Sequence, residues 1–450
     1  MDRDIQFYIT DYTVDYSNNS VNFNYQIIFD SETIENLSEK LLFPTPITDT
    51  PETTFLLQQL HIGLAISYYK TFYTPKINHP YKLTDQLANF WNEIYLNGLA
   101  EFLYTNKLDP KNIAKFESAT DNNQHDFDDS NSVDHVLLGI GGGKDSVVAG
   151  ELFKSSNIPV TGFVLASGEH EGQTEDVAKT MGINLLVIRR YFDRNIIALQ
   201  QSHGGYNGHI PISMIFALTG MLLAEIMGYK WVAVGNEAAA NDINTTWMGL
   251  EVNHQWSKTV HFETLLQKTF AGLTTYFSAT RSMSSVAMLK IFAKLSQYYN
   301  IFTSCNLVLR MDPSARPNGR WCGSCAKCLS TFILLSPWLE EDVVVNIFGQ
   351  NLLDNPQLTD TFSELTGVSS HKPLDCVGTI DEISSSVGAI ISQNKFSSSY
   401  LIKTASESGK YQDLDYYVNH LDELANNLSQ DLLPPQIKDA IHISIAEALK

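Results

Sequence analysis

One stretch constrains this chain more than any other: Leu137-Leu138-Gly139-Ile140-Gly141-Gly142-Gly143-Lys144-Asp145-Ser146. An apolar run from Val136 meets three consecutive glycines and a polar turn, and Val147-Val148-Ala149 then opens a helical pattern. The order is strand, tight loop, helix N-terminus. Backbone N–H groups at such a terminus are unpaired, and the helix dipole favours an anion there. Glycines let the main chain approach a polyphosphate without a Cβ in the way. Asp145 adds a carboxylate able to hold Mg²⁺ against phosphate oxygens, and Ser146 adds a hydroxyl donor. A glycine turn between any strand and helix is the plain alternative. The rarity of G-G-x-D-S between an apolar strand and an apolar helix favours phosphate binding, by Gly141, Gly142, Gly143, Lys144, Asp145 and Ser146, with Gly235 at a later strand end facing the same site.

The loop is neither a Walker A motif nor the Rossmann fingerprint, since neither spacing fits. It resembles the PP-loop of ATP pyrophosphatases, S-G-G-x-D-S, with Gly141 standing where that motif has its first serine. From Val136 onward, strands at 136–140, 160–166, 184–188 and 231–235 alternate with helices near 146–156, 172–181 and 211–228. That alternation predicts a parallel sheet covered by helices on both faces, with ligands at the carboxyl ends of the strands. The expected fold is therefore α/β: a PP-loop sheet with flanking helices, an α+β N-terminal domain and a helical C-terminal extension. Boundaries are drawn at 1–117 for the N-terminal domain, 118–134 for an acidic linker, 135–338 for the ATP-binding domain with its cysteines, and 339–450 for the C-terminal region. The linker rests on Asp121, Asn122, Asn123, Asp126, Asp128 and Asp129, which have little apolar surface between them to bury.

The chain of 450 residues carries a net charge of −20, which argues against a nucleic-acid or anionic-membrane partner held by bulk electrostatics. The greasy run from Met214 to Val234 is broken by Glu225 and Lys230, so it reads as a buried helix followed by a strand and not as a membrane span. Met1-Asp2-Arg3-Asp4 has no basic n-region leading to an apolar stretch, so no secretion signal is expected and the expected setting is the cytoplasm.

Four of the five cysteines cluster as Cys305, Cys322, Cys325 and Cys328. A double C-x-x-C with a turn glycine suits a tetrahedral thiolate site, for zinc first and an iron–sulfur cluster second. Four unrelated buried thiols would not be expected at this spacing. A similar arrangement follows the PP-loop domain in deazaguanine nitrile synthases, where it holds structural zinc, and that resemblance implies a structural role here. Cys376 is left over. A lone cysteine is more often an inert small hydrophobe, but His371 and Lys372 precede it closely, and nearby cations lower a thiol pKa.

Several polar segments remain. Glu251 to His261 reads as a helix start, which would put His254, Lys258 and His261 on one face; from spacing alone a solvated face is the plainer reading. Glycines flank His203, Asn207 and His209 in a loop suited to lie against a ligand, or simply to form a surface turn.

The chain resembles the UDP-N-acetyl-α-D-muramoyl-L-alanyl-L-glutamate epimerase family over most of its length. The likeness runs through Ile66-Ser67-Tyr68-Tyr69-Lys70, the glycine loop, Asn207-Gly208-His209-Ile210-Pro211, Tyr276-Phe277-Ser278-Ala279, Ser304-Cys305-Asn306, Trp321-Cys322-Gly323, His371-Lys372-Pro373 and Cys376-Val377-Gly378. Most specific is Glu251-Val252-Asn253-His254-Gln255-Trp256-Ser257-Lys258.

The resemblance implies inversion of the terminal L-glutamate of UDP-MurNAc-L-Ala-L-Glu to D-glutamate, with ATP consumed to AMP and pyrophosphate through an acyl-adenylate. The cofactors implied are ATP, Mg²⁺ at Asp145 and structural Zn²⁺. His254 and Cys376 are the nominated acid/base pair. Lys258 and Arg281 are nominated to grip carboxylates or phosphates, and Asn207, His209, Asn253, His371 and Lys372 to contact substrate. Two other readings compete. A PP-loop ligase transferring ammonia to an adenylated carboxylate would share every ATP and zinc residue. A zinc-stabilised tRNA-modifying module is disfavoured by the acidic charge. Oligomeric state is not legible.

Overall fold

The computed structural model describes residues 4–119, 127–129, 132–167, 172–308, 316–317, 319–369 and 371–450. Of the acidic linker, residues 120–126 and 130–131 lie outside the described residues, Asp121, Asn122, Asn123 and Asp126 among them. Strands are β1 (Ile5–Asp15), β2 (Ser20–Phe29), β3 (Thr33–Leu42), β4 (Ile77–Asn78), β5 (Val133–Gly139), β6 (Val160–Ala166), β7 (Leu185–Tyr191), β8 (Tyr229–Val234), β9 (Thr245–Trp247), β10 (Leu250–Val252) and β11 (Thr275–Ser278). Nine of them form one sheet in the order β11-β8-β5-β6-β7-β3-β2-β1-β4, while β9 and β10 form a separate hairpin.

The half from β11 to β7 is parallel throughout. Its strands alternate with helices α4 (Lys144–Ser155), α5 (Gly172–Met181), α6 (Asn195–His203) and α7 (Ile212–Met227), after α1 (Pro51–Tyr69), α2 (Asp85–Gly98) and α3 (Ala100–Thr105) earlier in the chain. Period-two alternation sends the side chains of β5 to opposite layers. Val136 and Leu138 pack with α4, α9 (Ser285–Phe292) and α10 (Ala326–Leu335), and Leu137 packs with α1 and α7 on the other face. Helix α7 is apolar on nearly all sides because it lies between the sheet and α1. It ends at Gly228, whose left-handed φ of +67° closes the helix and feeds β8.

The sheet departs from the purely parallel expectation. β7 runs on to Tyr191, beyond the Ile188 read from sequence, and those extra residues pair antiparallel with β3 (Lys40 with Tyr191, Leu42 with Arg189). The N-terminal strands thereby extend the same sheet. A buried ion pair between Arg190 and Glu39 holds the joint, and the Arg190 guanidinium also donates to Ser67. Beyond residue 339 the chain is helical, with Ile380–Ser392, Leu414–Asn426 and Pro435–Leu449 the longest elements. Ser156 Oγ donates to Ala440 O at 3.1 Å, binding the last helix to the end of α4. Among the described residues no helix is long and apolar enough to cross a membrane.

Candidate active site

The glycine loop leaves β5 at the carboxyl edge of the sheet and enters α4 at Lys144. Gly142 adopts φ +79°, a turn that residues with a Cβ rarely make. Its carbonyl accepts from Thr303 N at 3.1 Å and Gln173 Nε2 at 2.9 Å, which fixes the loop's outer edge. Gly235, at the end of β8, faces α4 so closely that a Cβ there would sit 2.4 Å from Asp145 O.

Two cavities meet at this edge. One is lined by Gly141, Gly143, Asp145 and Ser146 together with Phe163, Phe216 and Tyr276. The other is lined by Lys144, Asp145, Gly235, Glu237, Lys258, Lys327 and Cys376. Asp145, Gly235, Asn236 and Lys327 belong to both. The Lys144 ammonium lies between Asp145 and Glu237, 2.9 Å from Glu237 Oε2, and Glu237 Oε1 accepts from Ser285 Oγ at 2.8 Å. Burial alone would raise Asp145; Lys144 beside it, with Lys258 and Lys327 beyond, holds it below the ordinary carboxylate value.

The second cavity ends in a cluster around Cys376. Lys258 Nζ lies 3.5 Å from its Sγ, and a ring nitrogen of His254 comes within 4.8 Å of the same sulfur. His254 Nδ1 also lies 2.6 Å from Glu101 Oε2, and the His209 ring sits 4.5 Å from that of His254. Burial opposes ionisation of Cys376, but Lys258, Lys327 and His254 outweigh it and bring the thiol down to about 6. Burial likewise works against a charged His254, yet contact with Cys376 and Glu101 raises it to about 10. The pair is a thiolate and an imidazolium at neutral pH. Burial pushes His209 down to about 4 and Lys70 to about 8. Lys70 Nζ donates to Asn207 Oδ1 at 3.1 Å and to the Gly208 carbonyl.

The route to this cluster differs from the sequence reading. Residues 251–261 are not one helix: His254 lies in a turn after β10, Lys258 in a 3-10 turn (Trp256–Lys258), and His261 in the first turn of α8 (Val260–Thr269). Asn253 is the cause. Its Oδ1 accepts from Gln255 N at 2.6 Å and its Nδ2 donates to Ala240 O at 2.9 Å, a local alternative to helical bonding. His254 and Lys258 converge on Cys376, while His261 turns out to solvent near Glu93. Asn253 is thus a buried residue whose amide is engaged by local backbone.

Arg281 also departs from its nomination. It is 1% exposed, with Nε and Nη2 at 3.0 and 2.8 Å from Glu263 Oε2, and it donates to Glu237 O (3.1 Å) and Lys258 O (2.6 Å). Its fork holds the backbone of two cavity residues instead of gripping a ligand. Lys372 is paired with Asp242, and His371 is exposed and lines neither cavity. The cations that lower Cys376 are therefore not the His371 and Lys372 that precede it but Lys258, Lys327 and His254. Asp375 Oδ1, accepting from Cys376 N at 2.7 Å and Asn306 Nδ2 at 2.6 Å, anchors the thiol's loop.

Sequence reasoning passed over Glu101 and Lys327. Neither sits in a signature motif by itself, although Lys327 stands inside the cysteine cluster. The four clustered cysteines come together, with Sγ atoms within 4.8 Å of one another. Cys322 Sγ accepts from Ser324 N and Oγ, each at 3.4 Å.

Comparison with known proteins gives one answer along most of the chain. Residues 2–279 match the MurL N-terminal domain and residues 301–415 the MurL C-terminal domain. A UDP-N-acetyl-α-D-muramoyl-L-alanyl-L-glutamate epimerase from Micromonospora sp. is 31% identical over 388 residues, covering 84% of each chain. The Salinispora tropica protein of that name is 30% identical over 84% of this chain and 82% of its own. One from Xanthomonas oryzae pv. oryzae is 31% identical over 77% of each.

Proposed function

The chain belongs to the MurL family, and from that premise we propose that it inverts the terminal L-glutamate of UDP-MurNAc-L-Ala-L-Glu to D-glutamate, consuming ATP to AMP and pyrophosphate through an acyl-adenylate. The observation that carries the reading is the cavity whose wall holds both Asp145 and the Cys376–Lys258 pair. Phosphate chemistry and proton transfer share one chamber.

An α-proton beside a carboxylate is very weakly acidic, because its carbanion would adjoin an existing negative charge. Adenylation removes that charge and makes the carbonyl an electron sink. The glycine loop offers N–H donors at the start of α4 for the phosphates. Asp145 is 39% exposed, held ionised, and a hard oxygen ligand, so it fits Mg²⁺, which when bound neutralises charge on the phosphate oxygens. Lys144 ties Asp145 to Glu237 and so to α9. Once the adenylate forms, the Cys376 thiolate is suited to take the α-proton and the His254 imidazolium to return one. The two lie within 4.8 Å of each other, so Cα must enter between them. Lys258 balances the developing enolate charge, and water then hydrolyses the inverted adenylate, restoring the carboxylate and releasing AMP. The four cysteine sulfurs fit a tetrahedral zinc that cross-links residue 305 to the start of α10.

The test is incubation with UDP-MurNAc-L-Ala-L-Glu, ATP and Mg²⁺ followed by chiral analysis of the glutamate. D-glutamate formed together with pyrophosphate is expected. An amide of unchanged L-configuration, formed when ammonia is supplied, would point instead to a ligase.

A further inference from the structure

Glu101 enters the site from α3, in the N-terminal part of the chain, and nothing in the motif pattern marks it. Its side chain is only 13% exposed, and no lysine or arginine pairs with it among the described residues. A buried carboxylate is costly unless partners satisfy it. The partners here are two imidazoles: His254 Nδ1 at 2.6 Å and His209 Nδ1 at 3.9 Å from the same oxygen. Only the first is within hydrogen-bond reach. The three donor atoms are close enough together to surround a cation. However, Lys70 and Lys258 both act on His209 and add positive charge where a dication would sit. The arrangement is better read as a relay of carboxylate, imidazole and thiol.

We propose that Glu101 is a positioning residue: by accepting from His254 Nδ1 it fixes the tautomer, the orientation and the positive charge of that ring, and so keeps Cys376 in its thiolate form. The groups facing the pair are Lys258 and Lys327 on the thiol side, Asp375 with a carboxylate oxygen within 4.8 Å of both, and His209 with Lys70 beyond it on the imidazole side. Were the two lysines enough to hold the thiolate alone, Glu101 would have no effect. The carboxylate acts through another group, as in the nucleophile–base–orienter logic of hydrolytic triads.

The inference rests on Cys376 as the proton carrier proposed above, but its readout needs neither ATP nor substrate. The rate of Cys376 alkylation by iodoacetamide is followed against pH by peptide mass spectrometry in the wild type, Glu101→Gln and His254→Ala. Wild-type protein should reach half-maximal rate near the thiol value of about 6. Glu101→Gln, which keeps an acceptor but loses the charge, should move that midpoint up by about one pH unit or more. His254→Ala should do the same, and Glu101→Asp should recover part of the shift. In turnover, Glu101→Gln should lower kcat at neutral pH with little change in KM. A Glu101→Gln midpoint that overlies the wild type overturns the proposal, as does a shift that His254→Ala does not share. If Glu101→Gln fails to fold, Glu101→Ala, which also removes the charge, takes its place with the same expected shift and the same overturning result. A normal shift in a protein that never releases pyrophosphate would leave this inference standing and sink the adenylation reading instead.

Discussion

Cys376 and His254 lie within 4.8 Å of each other, and the separation of their pKa values sets how activity should respond to pH. Cys376 is depressed to about 6, so its thiolate, and with it activity, is lost as pH falls through that value. His254 is raised to about 10, so its proton is kept until pH climbs past that value. The kcat/KM profile of epimerisation should therefore be a broad bell with an acid limb near 6 and a basic limb near 10, the limbs belonging to the pair and not to either residue. Because adenylation precedes deprotonation, Cys376→Ala and His254→Ala should each retain substrate-dependent pyrophosphate release and lose D-glutamate formation. Loss of pyrophosphate release in both would move these residues to binding or adenylation. The sequence pointed to both side chains. It could not show which cations tune the thiol, because that depends on which neighbours already have partners: Lys372 is spent on Asp242, and Lys258 is not.

At the level of elements, the site depends on α4 meeting β8 and on a turn that replaces a helix. A Cβ on Gly235 would meet the Asp145 carbonyl at 2.4 Å, and backbone cannot swing aside as a side chain can. Gly235→Ala should cost about 1–3 kcal/mol in denaturant unfolding and displace Asp145, abolishing pyrophosphate release. Gly141 is the contrast: a Cβ there meets nothing within 4 Å, so Gly141→Ser, which restores the usual loop serine, should fold as the wild type does. The cysteine cluster is a second joint between elements. Purified protein should carry about one zinc per chain, and Cys325→Ser should lower stability and metal content without altering substrate preference. Metal-free, fully active protein would end that assignment. The βα alternation from β5 to β8 was legible because buried parallel strands and covering helices write long apolar runs. The segment 251–261 was not, because Asn253 bonds to local backbone and overrides a helical spacing.

Across the whole molecule, the N-terminal strands and the glycine loop belong to one sheet. The antiparallel β3–β7 pairing makes the N-terminal strands part of the sheet that carries the glycine loop. Contacts with α3 bring Glu101 beside His254, 153 residues away in sequence. No motif reports such a meeting, since it depends on long-range packing. The glycine loop and the clustered cysteines are local in sequence and could be read directly. The central claim is that ATP drives inversion at Cα by removal and return of a proton. Running the reaction in D₂O with UDP-MurNAc-L-Ala-L-Glu and reading both chirality and mass of the released glutamate tests it most directly. The account predicts D-glutamate carrying one deuterium at Cα, formed only when ATP and Mg²⁺ are present. Unlabelled D-glutamate, or labelled D-glutamate formed without ATP, would contradict it.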